Sequence, residues 1–384
     1  MRRKRDYFLL ILMNFVIYGL NGIFYSYIQQ YVGAYQPPIQ TGLLVALGPM
    51  VTIFAPFFWG VRADKAKHKN TVLLICLIGA SSFLSLMLLD PQSFAFLFFT
   101  MIGVTFFESA YASICDAVTI GYAQENNMRF GFMRCMGTVA FGCMTMAVSA
   151  LYEMQKEWFI YAYLMLAAVG LVVVLISPKA SGHAPKKQKL DFSPIFKDKK
   201  LMIYVAMSCL AQFLWQFYLN LYPSYVTEVM GMSQKAWGLN ILLTVAGEAP
   251  FFWLMDKIFD RFGTDRVMVF GLVLTCIRYL SFAALTDLVL IQIMSLVTGF
   301  SSVVIQYCAI RHIMDHTPVE LQATAINVPT ILPFGAARML ASILSGFMHD
   351  AIGTGNTLWF CFAFSAIGTL IYVACGTLQK RRKA

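Results

Sequence analysis

Charge is what this chain lacks. Only 12% of its 384 residues are Asp, Glu, Lys or Arg, against 59% hydrophobic, and mean hydropathy is +0.68. Soluble domains carry about 25% charged residues, so a soluble fold is excluded and an integral membrane protein is expected. Acids are the scarcer sign, 19 against 29 bases. There is no Walker loop, no zinc-ligand spacing and no nucleophile motif, which argues against an enzyme or an ATP-driven pump. The nine cysteines all sit in or beside apolar segments and lack metal or disulfide spacing. They read as small apolar packers, and no cofactor is expected.

What the chain has is long apolar runs. Scanned at the ~20 residues a spanning helix needs, it gives twelve segments: 7–33, 39–62, 71–89, 93–121, 129–152, 158–176, 200–227, 236–258, 265–286, 288–311, 321–348 and 356–378. Continuous runs of this kind predict helices rather than a barrel. The first run follows MRRKRDY but is too long for a signal core and has no cleavage site, so it reads as a retained span.

The basic residues orient the helices. External loops hold only Lys156 and Lys235, and Arg134, Arg278 and Arg338 fall inside spans; every other Lys and Arg lies on the face of the N-terminus. By the positive-inside rule that face is cytoplasmic, as are both termini. The formal charge of +10 is therefore a topology signal, and nucleic acid is not an expected partner. The loop from Ser177 to Lys200 divides the spans six and six. The expected organisation is an N-terminal bundle (1–176), a basic linker (177–199) against anionic lipid, and a C-terminal bundle (200–384).

The halves repeat a motif. Gly60-Val-Arg-Ala-Asp64-Lys65-Ala-Lys67-His68-Lys69 follows the second span. Asp256-Lys-Ile-Phe-Asp260-Arg261-Phe-Gly263-Thr-Asp-Arg266 follows the eighth. Both resemble the G-x-x-x-D-[R/K]-x-G-[R/K]-[R/K] signature of the major facilitator superfamily. The first copy carries Lys67 for the second glycine and His68 for a basic residue, and the second carries Asp256 for the first glycine. The resemblance implies an all-α membrane fold of twelve transmembrane helices in two six-helix pseudo-repeats. It also implies a gating role for Asp64, Lys65, Asp260 and Arg261.

Polar residues inside the spans are the candidate site, because charge in a bilayer is costly and marks a pair or a pathway. Asn14, Tyr18, Asn21 and Tyr25 fall on one face of the first span. Gln212, Gln216 and Asn220, with Trp215 and Tyr222 nearby, form a stripe on the seventh. The two stripes are expected to line a wet cavity, with interhelical hydrogen bonding as the alternative. Glu108 and Asp116 share a face of the fourth span, and Arg134 lies in the adjacent fifth. Asp116 and Arg134 are expected to meet, either as a structural pair or as a fork that holds substrate. Glu248, Arg278 and Arg338 occupy the eighth, ninth and eleventh spans, the last just after Pro329 and Pro333. Low dielectric favours a neutral carboxyl group and a neighbouring arginine a charged one, so a Glu alternating between such settings can carry a proton.

Phe130-Gly131-Phe-Met-Arg134-Cys-Met-Gly137 resembles a segment of the lactose permease and phenylpropionate permease branches. That resemblance implies that Asp116 and Arg134 hold substrate. The histidine and glutamate of the tenth span of the lactose permease have no counterpart in Gln292–Ser301, so lactose is not supported. The expected function is proton-coupled symport of a small polar or aromatic solute (sugar, nucleoside or aromatic acid), by a monomer in the cell membrane. The alternatives are a drug or metabolite antiporter, whose glycine/proline-rich fifth-span motif Gly137–Met144 does not match, and a non-transporting receptor.

Overall fold

A computed structural model describes residues 2–126, 130–180, 197–316 and 331–381 of the chain. These form helices, with no strand among the described residues. They are α1 (Arg2–Gly33), α2 (Pro38–Thr52), α3 (Ala55–Lys65), α4 (Lys69–Leu86), α5 (Phe94–Glu108), α6 (Tyr111–Glu125), α7 (Phe130–Met154), α8 (Trp158–Ile176), α9 (Lys199–Ser224), α10 (Gln234–Phe262), α11 (Thr264–Ala284), α12 (Leu288–Thr298), α13 (Ser301–His316) and α14 (Arg338–Arg381). Two π-helical turns, Tyr225–Val229 and Leu332–Ala337, follow α9 and precede α14. Ten helical stretches among the described residues are long and apolar enough to cross a membrane. Most of the linker, together with Arg129 and Pro329, lies outside the described residues.

Helix ends follow local chemistry. Ser93, Asp198 and Asp287 cap α5, α9 and α12 by accepting from backbone N–H groups of the first turn, which otherwise lack partners. Gly263 has φ +76° between α10 and α11, and Gly353 has φ +77° where α14 turns from one predicted span into the next. Such backbone suits glycine, which has no Cβ to clash.

Three predicted spans are broken midway: the second after Thr52, the fourth at Ser109–Ala110 and the tenth at Gly299–Phe300. A break at membrane depth frees carbonyls that lipid cannot satisfy. At the fourth-span break the indole N–H of Trp59 donates to Phe106 O at 2.9 Å. That break lies between Glu108 and Asp116.

The chain divides into two compact units. One is Met1–Lys187 with Gly231–Leu242, and the other is Gln188–Met230 with Leu243–Ala384. In the first unit α1 is the hub, packed on α7, α8 and α6. A Cβ on Gly22 would stand 2.5 Å from Phe141 O, so the α1 and α7 backbones meet directly. In the second unit, Tyr204, Val205, Met268, Leu272, Val304 and Ile305 join α9, α11 and α13 in one core. The backbones of α10 and α12 also meet: Cβ atoms on Gly247 and Gly299 would stand 2.1 Å from Leu296 O and 2.2 Å from Thr244 O. Small residues at such crossings are how membrane helices pack without a hydrophobic drive between them.

Candidate functional site

In the first unit the polar face of α1 is zipped onto α5 and α6. Asn14 Nδ2 donates to Thr119 Oγ1 at 2.9 Å and to Leu10 O at 2.8 Å. One turn on, the Tyr18 hydroxyl donates to Asp116 Oδ2 at 2.9 Å. Further along, the Tyr25 hydroxyl donates to Glu108 Oε2 at 2.6 Å. The Asn21 amide, oriented to donate, lies 2.9 Å from Glu108 Oε1. The four residues of the stripe thus serve three partners on the fourth span, in register along both helices.

Arg134 joins the middle of this zipper from α7. Its Nε stands 3.6 Å from Asp116 Oδ2, its guanidinium lies over the Tyr18 ring 3.9 Å from the centroid, and Nη1 donates to Thr138 Oγ1 at 3.3 Å. Gly137 lets the Tyr18 ring lie against α7, since a Cβ there would meet that ring at 2.5 Å. Asp116 Oδ1 is buried and has no hydrogen-bond partner among the described residues. A buried acceptor in that state is costly unless something binds it. Asp116 and Glu108 therefore sit in different chemistry. Asp116 faces an arginine and keeps an oxygen in reserve, while Glu108, 1% exposed, accepts from two neutral donors.

The second unit has a parallel arrangement. Gln216 Nε2 donates to Asn220 Oδ1 at 2.8 Å, and Asn220 Nδ2 to Ser345 Oγ at 2.8 Å. Gln212 Oε1 accepts from Arg338 Nε at 3.0 Å and Nη2 at 2.6 Å. The π turn Leu332–Ala337, with Pro333 inside it, delivers Arg338 to this position; such turns recur at functional sites.

Arg278, 2% exposed, is caged by aromatic faces. Trp215 and Tyr218 are each 5.0 Å from its guanidinium carbon and Phe282 is 5.3 Å away. Its Nη2 donates to Thr244 Oγ1 at 3.3 Å and Nη1 to Thr298 O at 3.4 Å, while Nε has no hydrogen-bond partner among the described residues. Glu248 is half-buried on α10, one helical turn beyond Thr244 and on the same face.

The two loop motifs are also ion-paired. Asp64 meets Lys69 at 3.2 Å, with Lys65 exposed beside them. Asp260 meets Arg311 at 3.0 Å, and Arg311 also meets Asp315 at 3.1 Å. Arg261 is exposed with its guanidinium 5.4 Å from the Phe262 ring. No group of acids, cysteines and histidines with metal-binding geometry occurs among the described residues.

The MFS_1 like family matches residues 7–360 of the chain. The chain belongs to that family. It is a multi-pass membrane transporter of the major facilitator superfamily, in a family of transporters and not of enzymes. The uncharacterized transporter YwbF of Bacillus subtilis (strain 168) is 23% identical over 82% of this chain and 78% of its own. The maltose permease of Geobacillus stearothermophilus is 22% identical over 89% and 86%. The probable 3-phenylpropionic acid transporter of Escherichia coli (strain K12) is 23% identical over 68% and 69%, in line with the branch resemblance carried by Phe130–Gly137. The solved structure of the nucleoside transporter NupG (D323A mutant) superposes with TM-score 0.87 at 16% identity, covering 96% of this transporter and 99% of that chain, which shows the shared fold.

Several residues of the transporter's polar core are invisible to a search for charge. Thr119, Thr244 and Ser345 are single hydroxyls on apolar helices and carry no signal until a partner is known. Tyr218 was legible in principle, since it falls one turn after Trp215 on the face that meets Arg278. Arg311, the partner of Asp260, reads in sequence only as one more cytoplasmic charge.

Proposed function

We propose that this transporter couples the inward movement of a small polar or aromatic solute to a proton, by alternating access of its two six-helix halves (1–176 and 200–384). It acts as a monomer in the cell membrane with both termini in the cytoplasm. The observation that carries this reading is the Tyr18–Asp116–Arg134 cluster. It combines an aromatic face, a guanidinium and a buried carboxylate oxygen without a hydrogen-bond partner among the described residues, which together suit a solute bearing a hydroxyl or carboxylate beside an apolar body. Asn14 and Asn21 hold this cluster in register on α1. Gln212, Trp215, Gln216 and Asn220 are the candidate solute-binding side chains of the second half.

Proton coupling falls to carboxyl groups set apart from the substrate pair. Glu108, whose donors among the described residues are neutral, suits a group that cycles between protonated and ionised forms, and Glu248, one helical turn beyond Thr244, is its counterpart in the second half. Two carboxyl groups placed in contrasting surroundings are how one site separates binding from proton transfer. Asp64, Lys65, Asp260 and Arg261 act at the gate, their ion pairs re-forming as the halves move.

The relatives support sugars, aromatic acids and nucleosides as classes to test. A thermal-shift screen of the purified protein with maltose, 3-phenylpropionate and uridine reads binding to the native state as a rise in apparent melting temperature. One of the three is expected to raise it in the native protein and not in Arg134→Ala. A ligand whose shift survives Arg134→Ala contradicts the assigned site.

A further inference from the structure

At the end of α1 that carries the N-terminus, a cavity of about 710 Å³ opens among Arg5, Asp6, Tyr122, Asn126, Leu175 and Lys179. It lies wholly within the first unit, away from the Tyr18–Asp116–Arg134 cluster, and nothing in solute transport requires it. The acid inside is already spoken for. Asp6, 6% exposed, accepts from the Tyr122 hydroxyl at 2.7 Å, whereas Arg5 Nε and Nη2 approach its other oxygen only to 3.4 Å. The Arg5 side chain is 68% exposed, so most of its donors are open to a ligand.

The second cation, Lys179, sits on anchored backbone. Asn70 Nδ2 donates to Pro178 O at 3.2 Å, Ala180 N donates to Asn70 Oδ1 at 3.3 Å, and Lys69 N donates to Ala180 O at 2.9 Å. These bonds pin the backbone on both sides of Lys179 against the start of α4. Its lining is also apolar and open at one edge: Leu175 and Ile176 are 62% and 57% exposed. Two cations at a membrane surface beside exposed aliphatic side chains match a ligand with an anionic head and acyl tails.

We propose that this cavity binds an anionic phospholipid of the leaflet facing the N-terminus. Arg5 and Lys179 take the phosphate, and the acyl chains lie along Leu175 and Ile176. Asp6 and Tyr122 act by orienting Arg5. The bound lipid also ties the first helix to the start of the linker, because the Lys179 backbone is anchored to α4.

The test is thermal unfolding of the purified full-length protein in a neutral detergent, titrated with phosphatidylglycerol, phosphatidylcholine or inorganic phosphate. Phosphatidylglycerol is expected to raise the apparent melting temperature saturably, and the other two much less. In the double variant Arg5→Gln/Lys179→Gln the half-saturating concentration of phosphatidylglycerol is expected to rise about tenfold or more, while Lys156→Gln, outside the cavity, leaves it unchanged. Should the double variant fail to fold, Lys179→Gln alone, an exposed side chain, carries the same test with a smaller rise. An unaltered titration in these variants overturns the proposal. So does an equal response to phosphatidylcholine, and an equal response to inorganic phosphate would reassign the cavity to a free anion.

Discussion

Tyr18 and Asp116 are joined by a 2.9 Å hydrogen bond from α1 to α6, and the same tyrosine ring supports the Arg134 guanidinium at 3.9 Å. One side chain therefore positions both members of the ion pair. Its hydroxyl fixes the acid and its face fixes the base. The Asp116–Arg134 contact of 3.6 Å is long for an ion pair, as fits a cluster that a third group completes.

Arg134→Lys should lower apparent solute affinity about tenfold, with expression and melting temperature near native. A lysine ammonium can reach Asp116 or sit over Tyr18, but it lacks the flat fork that does both. Solute dependence of initial uptake in proteoliposomes checks this. Unchanged affinity makes the pair structural.

Tyr18→Phe separates the two duties of Tyr18. The ring face under Arg134 is kept and the bond to Asp116 is lost, leaving Asp116 Oδ2 with the longer 3.6 Å contact to Arg134. A loss of about 1–3 kcal/mol in stability or binding is expected, read as a lower melting temperature in the absence of solute and a smaller ligand-induced shift.

Gly22→Ala should destabilise the fold by about 1–3 kcal/mol. The added methyl would stand 2.5 Å from Phe141 O, which is backbone and cannot swing aside. Gly60→Ala is the control: nothing lies within 4 Å of its Cβ position, and replacing a helical glycine there should be neutral or slightly stabilising. Thermal unfolding of the two variants in one detergent decides it.

Asp198 gives a pH dependence outside the membrane. Burial pushes its carboxyl up, but hydrogen bonds from Leu201 N, His312 and Lys200 N outweigh that and hold it below the ordinary carboxylate range. A lowered folded-state value means the contribution to stability is complete above about pH 4 and fades as pH falls through the lowered value. Asp198→Ala should cost about 1 kcal/mol at neutral pH through the lost cap of α9. Its melting temperature should converge on that of the native protein in strong acid. A gap that stays constant with pH contradicts this assignment.

The fold was largely legible in the sequence because lipid imposes a strict rule. Only apolar helices cross, so each of the twelve predicted spans falls on helical segments among the described residues, three of them broken midway and the last two sharing α14, the eleventh from residue 331 onward. The break at Ser109–Ala110 was not legible, since the carbonyl of Phe106 beside it is met by the Trp59 indole, far off in the chain. At the site, the pairing of Asp116 with Arg134 followed from a short connection between adjacent spans. The zipping of Asn14, Tyr18, Asn21 and Tyr25 onto α5 and α6 did not, because periodicity names the face of a helix and not its neighbour. The aromatic cage around Arg278 was hidden for a further reason: in a chain with 33 Phe and 18 Tyr, no single ring stands out.

The central claim is that solute and proton move together in one direction. Proteoliposomes with a trapped pH indicator, given the solute that binds in the thermal-shift screen and no imposed gradient, test it most directly. Internal acidification that follows solute entry is predicted for the native protein. It should be lost in Glu108→Gln and Glu248→Gln while exchange of labelled solute continues. Solute uptake with no change in internal pH, or with alkalinisation, would contradict the account.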